Sequence, residues 1–522
     1  MTATLPSYDE IPYESFAITE THPDRLAVIG RLFALQCPAP SDARVLELGC
    51  AAGGNLLPIA YYLPHTRCLG VELSEAQARR GRELARAIDL DNLQIRHQDI
   101  RELPLQGEPF DYIIAHGVYS WVPTAVQEHI LALCGARLAP GGIAYISYNT
   151  LPGSRQRSML RDMLLHHVHG ITRPRERLAG ARDLLAFLST PLEESPPGHD
   201  WLRRELEHLR GARDSYLYHE YLEATNEPEL FTDFVTRARR HGLQYLADSQ
   251  LHTLFGSTLG DAAESRLSRF DDLVAEEQYG DFLRLRGFRQ SLLCRADQAL
   301  TREIDLDRFL ALPLYTDLSP REDGGFRNDA GRSFEIGPPL LRAVVRSIGA
   351  LFPRASRLAE ILPPIQERMA REGQPVTGAD VAALPGELFS LFVSGGLQAT
   401  LCAPDCGRGI GPASGQHWAA APIACRLAQQ GEHLIPTPRH QTLRLDPLSV
   451  RTLALLDGGR DLTAVVEALI GAAARDPSLA RALGSERPEH QRAVLRGHIE
   501  GLFRLLQRHG LLEPAVAAPP LS

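Results

Sequence analysis

The chain has 522 residues, 44% hydrophobic and 23% charged, with a formal net charge of −9. That length exceeds what one core holds and implies about three domains, and the acidic balance argues against a non-specific electrostatic grip on nucleic acid. No apolar run is long enough to cross a bilayer, the start MTATLPSYDE has no basic n-region, and the eight cysteines are scattered, so the expectation is a cytoplasmic protein without membrane insertion or disulfide framework.

Residues 1–43 precede the first strand. SYDEIPYESFAITETHPDR carries Tyr8, Tyr13 and Phe16 among prolines and acids and reads as a lid over a ligand mouth, and His22-Pro23-Asp24 opens a helix, PDRLAVIGRLFAL. The next stretch, RVLELGCAAGGN, organises the rest. Residues 44–48 form a short buried strand, Gly49, Gly53 and Gly54 permit a tight turn close to a ligand, and a helix through Leu56, Leu57, Ile59 and Ala60 follows. Strand, glycine turn and helix open a Rossmann-like unit with its ligand beyond the carboxyl end of the strand.

A second strand, 67–72, ends at Glu72, about 20 residues after the loop, where a carboxylate accepts hydrogen bonds from ribose hydroxyls. Ser74 and Gln77 then form a capping box at the head of a helix. After the third strand, 93–97, Asp99 accepts from an exocyclic amine and Ile100 packs on an adenine face. The pattern describes a nucleoside site. Past the fourth strand, 110–115, HGVYSWVP places His116, Tyr119 and Trp121 at the ligand side, and the fifth strand delivers Tyr148 and Asn149 to the neighbouring position.

Residues 154–230 read as a helical insertion broken at SPPGHD. His166, His167 and His169 lack a carboxylate or cysteine partner, so no metal is expected, and His219-Glu220 either reaches the site or forms a buried contact. LQYLADS at 243–249 and FRQSLLCR at 288–295 read as the last two strands. A middle domain over 305–400, with strand-like LYTDL and GRSFEI and two helices, and a C-terminal domain over 430–513 both resemble winged-helix arrangements and, at pI ≈ 6.1, suit protein contact. Cys402, Cys406, Cys425 and His417 can be drawn as a zinc site, but their spacing is irregular. PAVAAPPLS reads as a disordered tail.

ELGCAAGG resembles the first motif of class I S-adenosylmethionine-dependent methyltransferases, with Ala51 in place of the middle glycine. YDEIPY, HGVYSWVP, SYNTLPG, YHEYLE at 218–223 and FRQSLLCR together resemble bacterial methyltransferases carrying a methyltransferase regulatory domain, among them rickettsial protein lysine methyltransferases that act on outer-membrane proteins. The resemblance implies an α/β, Rossmann-like methyltransferase core over 44–300, containing the helical insertion and a regulatory region at 220–300, followed by smaller α+β winged-helix-like domains. It implies S-adenosyl-L-methionine at Glu47, Gly49, Cys50, Ala51, Gly53, Asn55, Glu72, Leu73, Asp99, Ile100 and His116. Around the reactive methyl it places His116, Tyr119, Trp121, Tyr148 and Asn149, with Tyr8 and Tyr13 on the substrate side. The expected partners are a protein substrate, methylated on lysine, and a second copy in a homodimer; the alternatives are a small-metabolite substrate or a non-catalytic regulator that senses the cofactor.

All 55 basic residues are arginine, and lysine is absent. A GC-rich genome accounts for that, as does avoidance of self-methylation, because arginine stays protonated and is a poor nucleophile.

Overall fold

The computed structural model describes residues 5–191, 199–402, 418–476, 479 and 488–514. At its centre lies a seven-stranded sheet in the order β3-β2-β1-β4-β5-β7-β6. The strands are β1 (Arg44–Leu48), β2 (Arg67–Glu72), β3 (Leu93–His97), β4 (Phe110–Ala115), β5 (Leu138–Asn149), β6 (Leu243–Asp248) and β7 (Phe288–Arg295). Only β7 runs antiparallel to its neighbours. Residues such as Val45, Leu46, Ile113 and Ala144 are fully buried, as expected of parallel strands covered on both faces. Strand order reverses between β1 and β4, and ligands of such sheets bind outside the carboxyl ends at that reversal.

Helices α1 (Leu5–Glu10) and α2 (Pro23–Leu32) precede β1, and α3 (Leu56–Tyr62), α4 (Glu75–Ala87) and α5 (Thr124–Arg137) connect the next strands. Ser74 caps α4 by accepting from Gln77 N at 3.2 Å. The reciprocal half of the expected capping box is replaced: Gln77 Nε2 donates instead to Tyr13 O at 3.3 Å, and Ser74 N donates to Glu72 Oε1 at 2.8 Å.

The insertion forms α6 (Ser154–His167), α7 (Pro174–Leu188), α8 (His199–Arg210) and α9 (Asp214–Tyr221). Their apolar faces, including Leu160, Leu164, Leu185 and Leu217, enclose Ile11 from the N-terminal segment. The insertion therefore anchors the chain that precedes β1. Helices α10 (Phe231–Arg240), α11 (Asp261–Leu267) and α12 (Leu273–Arg284) lead into β6 and β7.

Beyond the sheet, residues 305–400 contain a short helix, Leu306–Leu310, three longer ones, Pro339–Ala350, Leu358–Arg371 and Gly378–Val393, and a small antiparallel sheet. The two-helix reading lacks the short helix and the helix Gly378–Val393. Its first half, GADVAALPGE, mixes glycine, alanine and proline without apolar period, and it begins because Thr377 and Asp380 complete a capping box. In the last part, Trp418–Ala420 pairs with Leu512–Pro514, so the first strand starts before residue 430. The hairpin of Leu434–Pro436 and Thr442–Arg444 lies between its helices.

Cys406 and His417 lie outside the described residues, as do most of SPPGHD and the residues after Pro514. Among the described residues no group of three or more His, Cys, Asp or Glu side chains is placed to hold a metal ion, and no helix is long and apolar enough to cross a membrane.

The segment from β6 to β7 is held by a buried charge cluster. Arg289, on β7, bonds Glu277 at 2.9 Å and Asp281 at 2.6 Å and lies 3.6 Å from the centroid of the Phe231 ring. Asp248 joins it through Arg286 at 2.9 Å. Arg289→Ala leaves carboxylates buried and unpaired and should destabilise the chain by about 3–5 kcal/mol. Denaturant unfolding checks this; a loss of about 1 kcal/mol or less would show that the cluster relaxes into solvent.

Candidate active site

The carboxyl ends of β1, β2 and β4, with the loop after β3, converge as expected, but the glycine loop does more than admit a ligand. Gly49, at φ +71°, is pressed by the Val118 side chain from the turn after β4, and a Cβ on Gly54 would strike the Ser15–Phe16 backbone at 2.2–2.5 Å. Gly54 N donates to Ser15 Oγ at 2.6 Å. The third glycine thus makes room for the N-terminal segment, which crosses the loop as a strap. Ala51 adopts φ +47°, the left-handed region, so it does not substitute freely for glycine: its Cβ strains the turn by about 1–2 kcal/mol. Cys50 contributes backbone only, its side chain being packed beneath the loop against Gly70.

Glu47 and Asn55 form the centre of the site. Glu47 is 4% exposed, and its Oε1 accepts from Asn55 Nδ2 at 2.9 Å. Its Oε2 has no donor among the described residues. Burial pushes its pKa up to about 8, opposed by the Asn55 bond and assisted by the charge of Glu72. A buried carboxylate oxygen without a partner is costly and suits a cationic guest. Asn55 itself is buried among Glu47, Thr21, Ile18 and His440, so it positions Glu47 and does not face a ligand.

Glu72 has a second duty beside the ribose position. Its two oxygens accept from Ala51 N at 2.9 Å and Ser74 N at 2.8 Å, pinning the loop to the start of α4 while leaving lone pairs for a ligand. Leu73, 46% exposed, is an apolar ledge beside it, and Ile100 is half-buried near the end of β3. Asp99 is not free: both oxygens accept from the Arg101 guanidinium, which lowers its pKa, so an adenine amine has to share it.

Two expected wall residues are corrected. Tyr119 and Tyr148 are buried at 0% and 1% exposure and pack with Phe234 of α10 below the rim. The Tyr148 hydroxyl bonds Ser291 at 3.0 Å. Alternation along β5 turns Tyr148 into the core, and a short 3-10 turn at Tyr119–Trp121 takes Tyr119 the same way. The rim keeps His116, Trp121 and Asn149. His116 Nδ1 shares a 2.9 Å bond with the Tyr145 hydroxyl, and burial pushes its pKa down to about 4. Asn149 Nδ2 donates to Asn226 Oδ1 at 3.2 Å, a partner with no sequence signal of its own.

Tyr8 and Tyr13 approach from the strap. Tyr8 stacks on His219 at 4.3 Å and Tyr13 leans on it at 5.6 Å. His219 bonds Ile11 O at 2.6 Å and Glu223 at 2.8 Å, so of the two readings of this residue it is the buried contact that fastens the strap to α9. Glu220 is enclosed but not sealed; burial raises its pKa against the charges of Arg157 and His219. The Tyr8 hydroxyl feels the charges of Glu223, Glu72 and Glu220.

The sequence matches three family descriptions: a methyltransferase domain over 45–142, a "Predicted methyltransferase regulatory domain" over 213–295, and a "PKMT, C-terminal winged helix domain" over 419–511. It is 41% identical to the uncharacterized protein RP789 of Rickettsia prowazekii over 301 residues, 58% of this chain and 54% of the relative. It is 37% identical to the uncharacterized protein RP028 of the same organism over 241 residues, 46% of this chain and 96% of the relative. The structure of PKMT2 from Rickettsia typhi in complex with AdoHcy superposes with a TM-score of 0.81 at 25% identity, covering 96% of this chain and all of that one.

The orphaned oxygen of Glu47 fits the ammonium of S-adenosyl-L-methionine, and Glu72 with Leu73 fits its ribose. When bound, that cofactor supplies a methyl group on a sulfonium. Because free Glu47 holds its proton below about pH 8 and a cation favours the carboxylate, binding should release a proton at pH 6–7, and affinity should fall as pH drops below about 8. Calorimetry in buffers of different ionisation enthalpy measures this, and Glu47→Gln should abolish the release; binding without proton release in the native chain would contradict the assignment. The chain belongs to the family of RP028, and it is a class I S-adenosylmethionine-dependent methyltransferase whose own sequence joins the methyltransferase domain to a methyltransferase regulatory domain and a winged-helix domain of the PKMT type.

Proposed function

We propose that the chain methylates lysine side chains of a protein substrate. The observation that carries this reading is the extent of the likeness to PKMT2: it runs through the insertion, the regulatory region, the middle domain and the winged helix, not the nucleotide-binding core alone. A small-molecule enzyme has no need of those parts in common.

The chemistry asked of the protein is alignment of nucleophile, carbon and sulfur, together with delivery of a neutral amine. Enclosure beside Tyr8, Tyr13 and Tyr216 desolvates a lysine and favours its neutral form. Glu220 takes the proton: it lies one turn from Tyr216 on α9, and burial has moved its pKa toward the range in which proton transfer is efficient. His116, pushed down to about 4, is too weak a base for that role. Asn149 has committed its amide nitrogen to Asn226, which leaves its carbonyl oxygen to accept an N–H of the amine. The exposed apolar side chains Met159 and Met163 of α6 and Phe187 of α7 offer a surface for the proposed homodimer.

Glu220→Gln should lower kcat on a protein substrate by about 10²–10⁴-fold while leaving cofactor affinity within a factor of about two. Unchanged kcat would remove Glu220 from the chemistry. Incubating the protein with labelled donor and a lysate should place the label on lysines of protein; label only in small metabolites would overturn the proposal, and no label despite cofactor binding would favour a sensor. Arg155, exposed on α6, offers a further check: Arg155→Lys should gain methyl mass if the missing lysines reflect self-methylation.

A further inference from the structure

We infer that His440, supplied by the C-terminal winged-helix domain, is a positioning residue of the cofactor site. It lies in the turn of the hairpin Leu434–Pro436/Thr442–Arg444, where Thr437 N donates to Gln441 O at 2.8 Å and His440 N donates to Thr437 O at 2.9 Å. Its φ is +56°, a conformation histidine seldom adopts, and its side chain is 1% exposed. A strained, buried residue persists where its surroundings over-determine it.

The imidazole crosses from one domain into another. Nε2 lies 2.7 Å from Asn55 Oδ1, 385 positions away in sequence. Because Oδ1 only accepts, Nε2 carries the proton, and burial together with the neighbouring His22 holds the ring neutral. Asn55 is thereby fixed in one orientation. Its oxygen takes His440 and Ile18 N at 3.0 Å, and its nitrogen goes to Glu47 Oε1 at 2.9 Å and Thr21 Oγ1 at 2.9 Å. A flipped amide would turn an acceptor on Glu47 and spoil the carboxylate that meets the cofactor.

The same turn holds the strap. Thr19 Oγ1 donates to His440 O at 2.9 Å, and Thr442 Oγ1 donates to Ala17 O at 2.9 Å. Arg439 lies 4.0 Å from the Tyr315 ring centroid and donates to Pro353 O at 2.8 Å, which ties in the middle domain. The site at β1 is thus completed by a residue from the far end of the chain.

The inference rests on the cofactor site and is independent of what is methylated, so cofactor binding tests it separately from the lysate experiment. S-adenosylhomocysteine titrated calorimetrically into the full-length chain compares two variants of similar volume: His440→Leu removes the donor, and His440→Gln keeps a neutral N–H. The leucine variant should bind about tenfold more weakly and raise the cofactor KM with kcat unchanged, whereas the glutamine variant should stay within about threefold of the native chain. Combined with Asn55→Ala, His440→Leu should add no further loss, since both act through one bond. Native affinity in a folded leucine variant, equal losses in both variants, or losses that multiply in the double variant would each overturn the role. Should the leucine variant fail to fold, the glutamine variant still decides, because a loss of about tenfold in that folded protein also overturns it.

Discussion

The buried, half-satisfied carboxyl group of Glu47, at the end of β1, organises the chain around it. Burying Glu47 with one oxygen unpaired is unfavourable, and the surrounding chain is arranged to keep that oxygen in place. Asn55 holds the other oxygen, Glu72 pins the loop beside it through Ala51 N, and Ala51 accepts a left-handed backbone so that the turn closes. A cation placed against that oxygen would offset the cost, and strain commonly gathers at functional sites for such a reason.

From that centre the contacts lead outward to every domain. The strap lies on Gly54 and Asn55, Ile11 seats it in the helical insertion, and His219 of α9 grips it from above. The winged-helix hairpin closes on the strap through Thr19 and Thr442 and on Asn55 through His440. Arg80 of α4 pairs with Glu432, and Arg213 with Glu14, around the same junction. The winged-helix domain is therefore built into the packing around Glu47 and the strap.

Much of this was legible in the sequence, and the limit falls at a physical boundary. The central strands could be read because strands buried on both faces leave short continuous apolar runs between turn signals, and Glu47, Glu72 and Ser74 stand at fixed offsets from them. Facing direction where a strand meets its loop was not legible: Tyr119 and Tyr148 look like pocket walls beside the right motifs, yet one 3-10 turn and one strand alternation bury both. Contacts between distant segments were equally hidden. Nothing local in PTPRHQ announces that His440 meets Asn55, and Asn226 meets Asn149 across a 77-residue separation. The left-handed Ala51 was concealed because its residue type argues for ordinary backbone.

Hydrogen bonds join the glycine loop, the strap and the winged-helix turn around one pocket, which should respond to the cofactor as a unit. Hydrogen–deuterium exchange of the full chain with and without S-adenosylhomocysteine tests it most directly. Slowed exchange at residues 49–55 should be accompanied by slowed exchange at 12–21 and 437–442. Protection confined to the Rossmann core, with the strap and the turn unchanged, would contradict it.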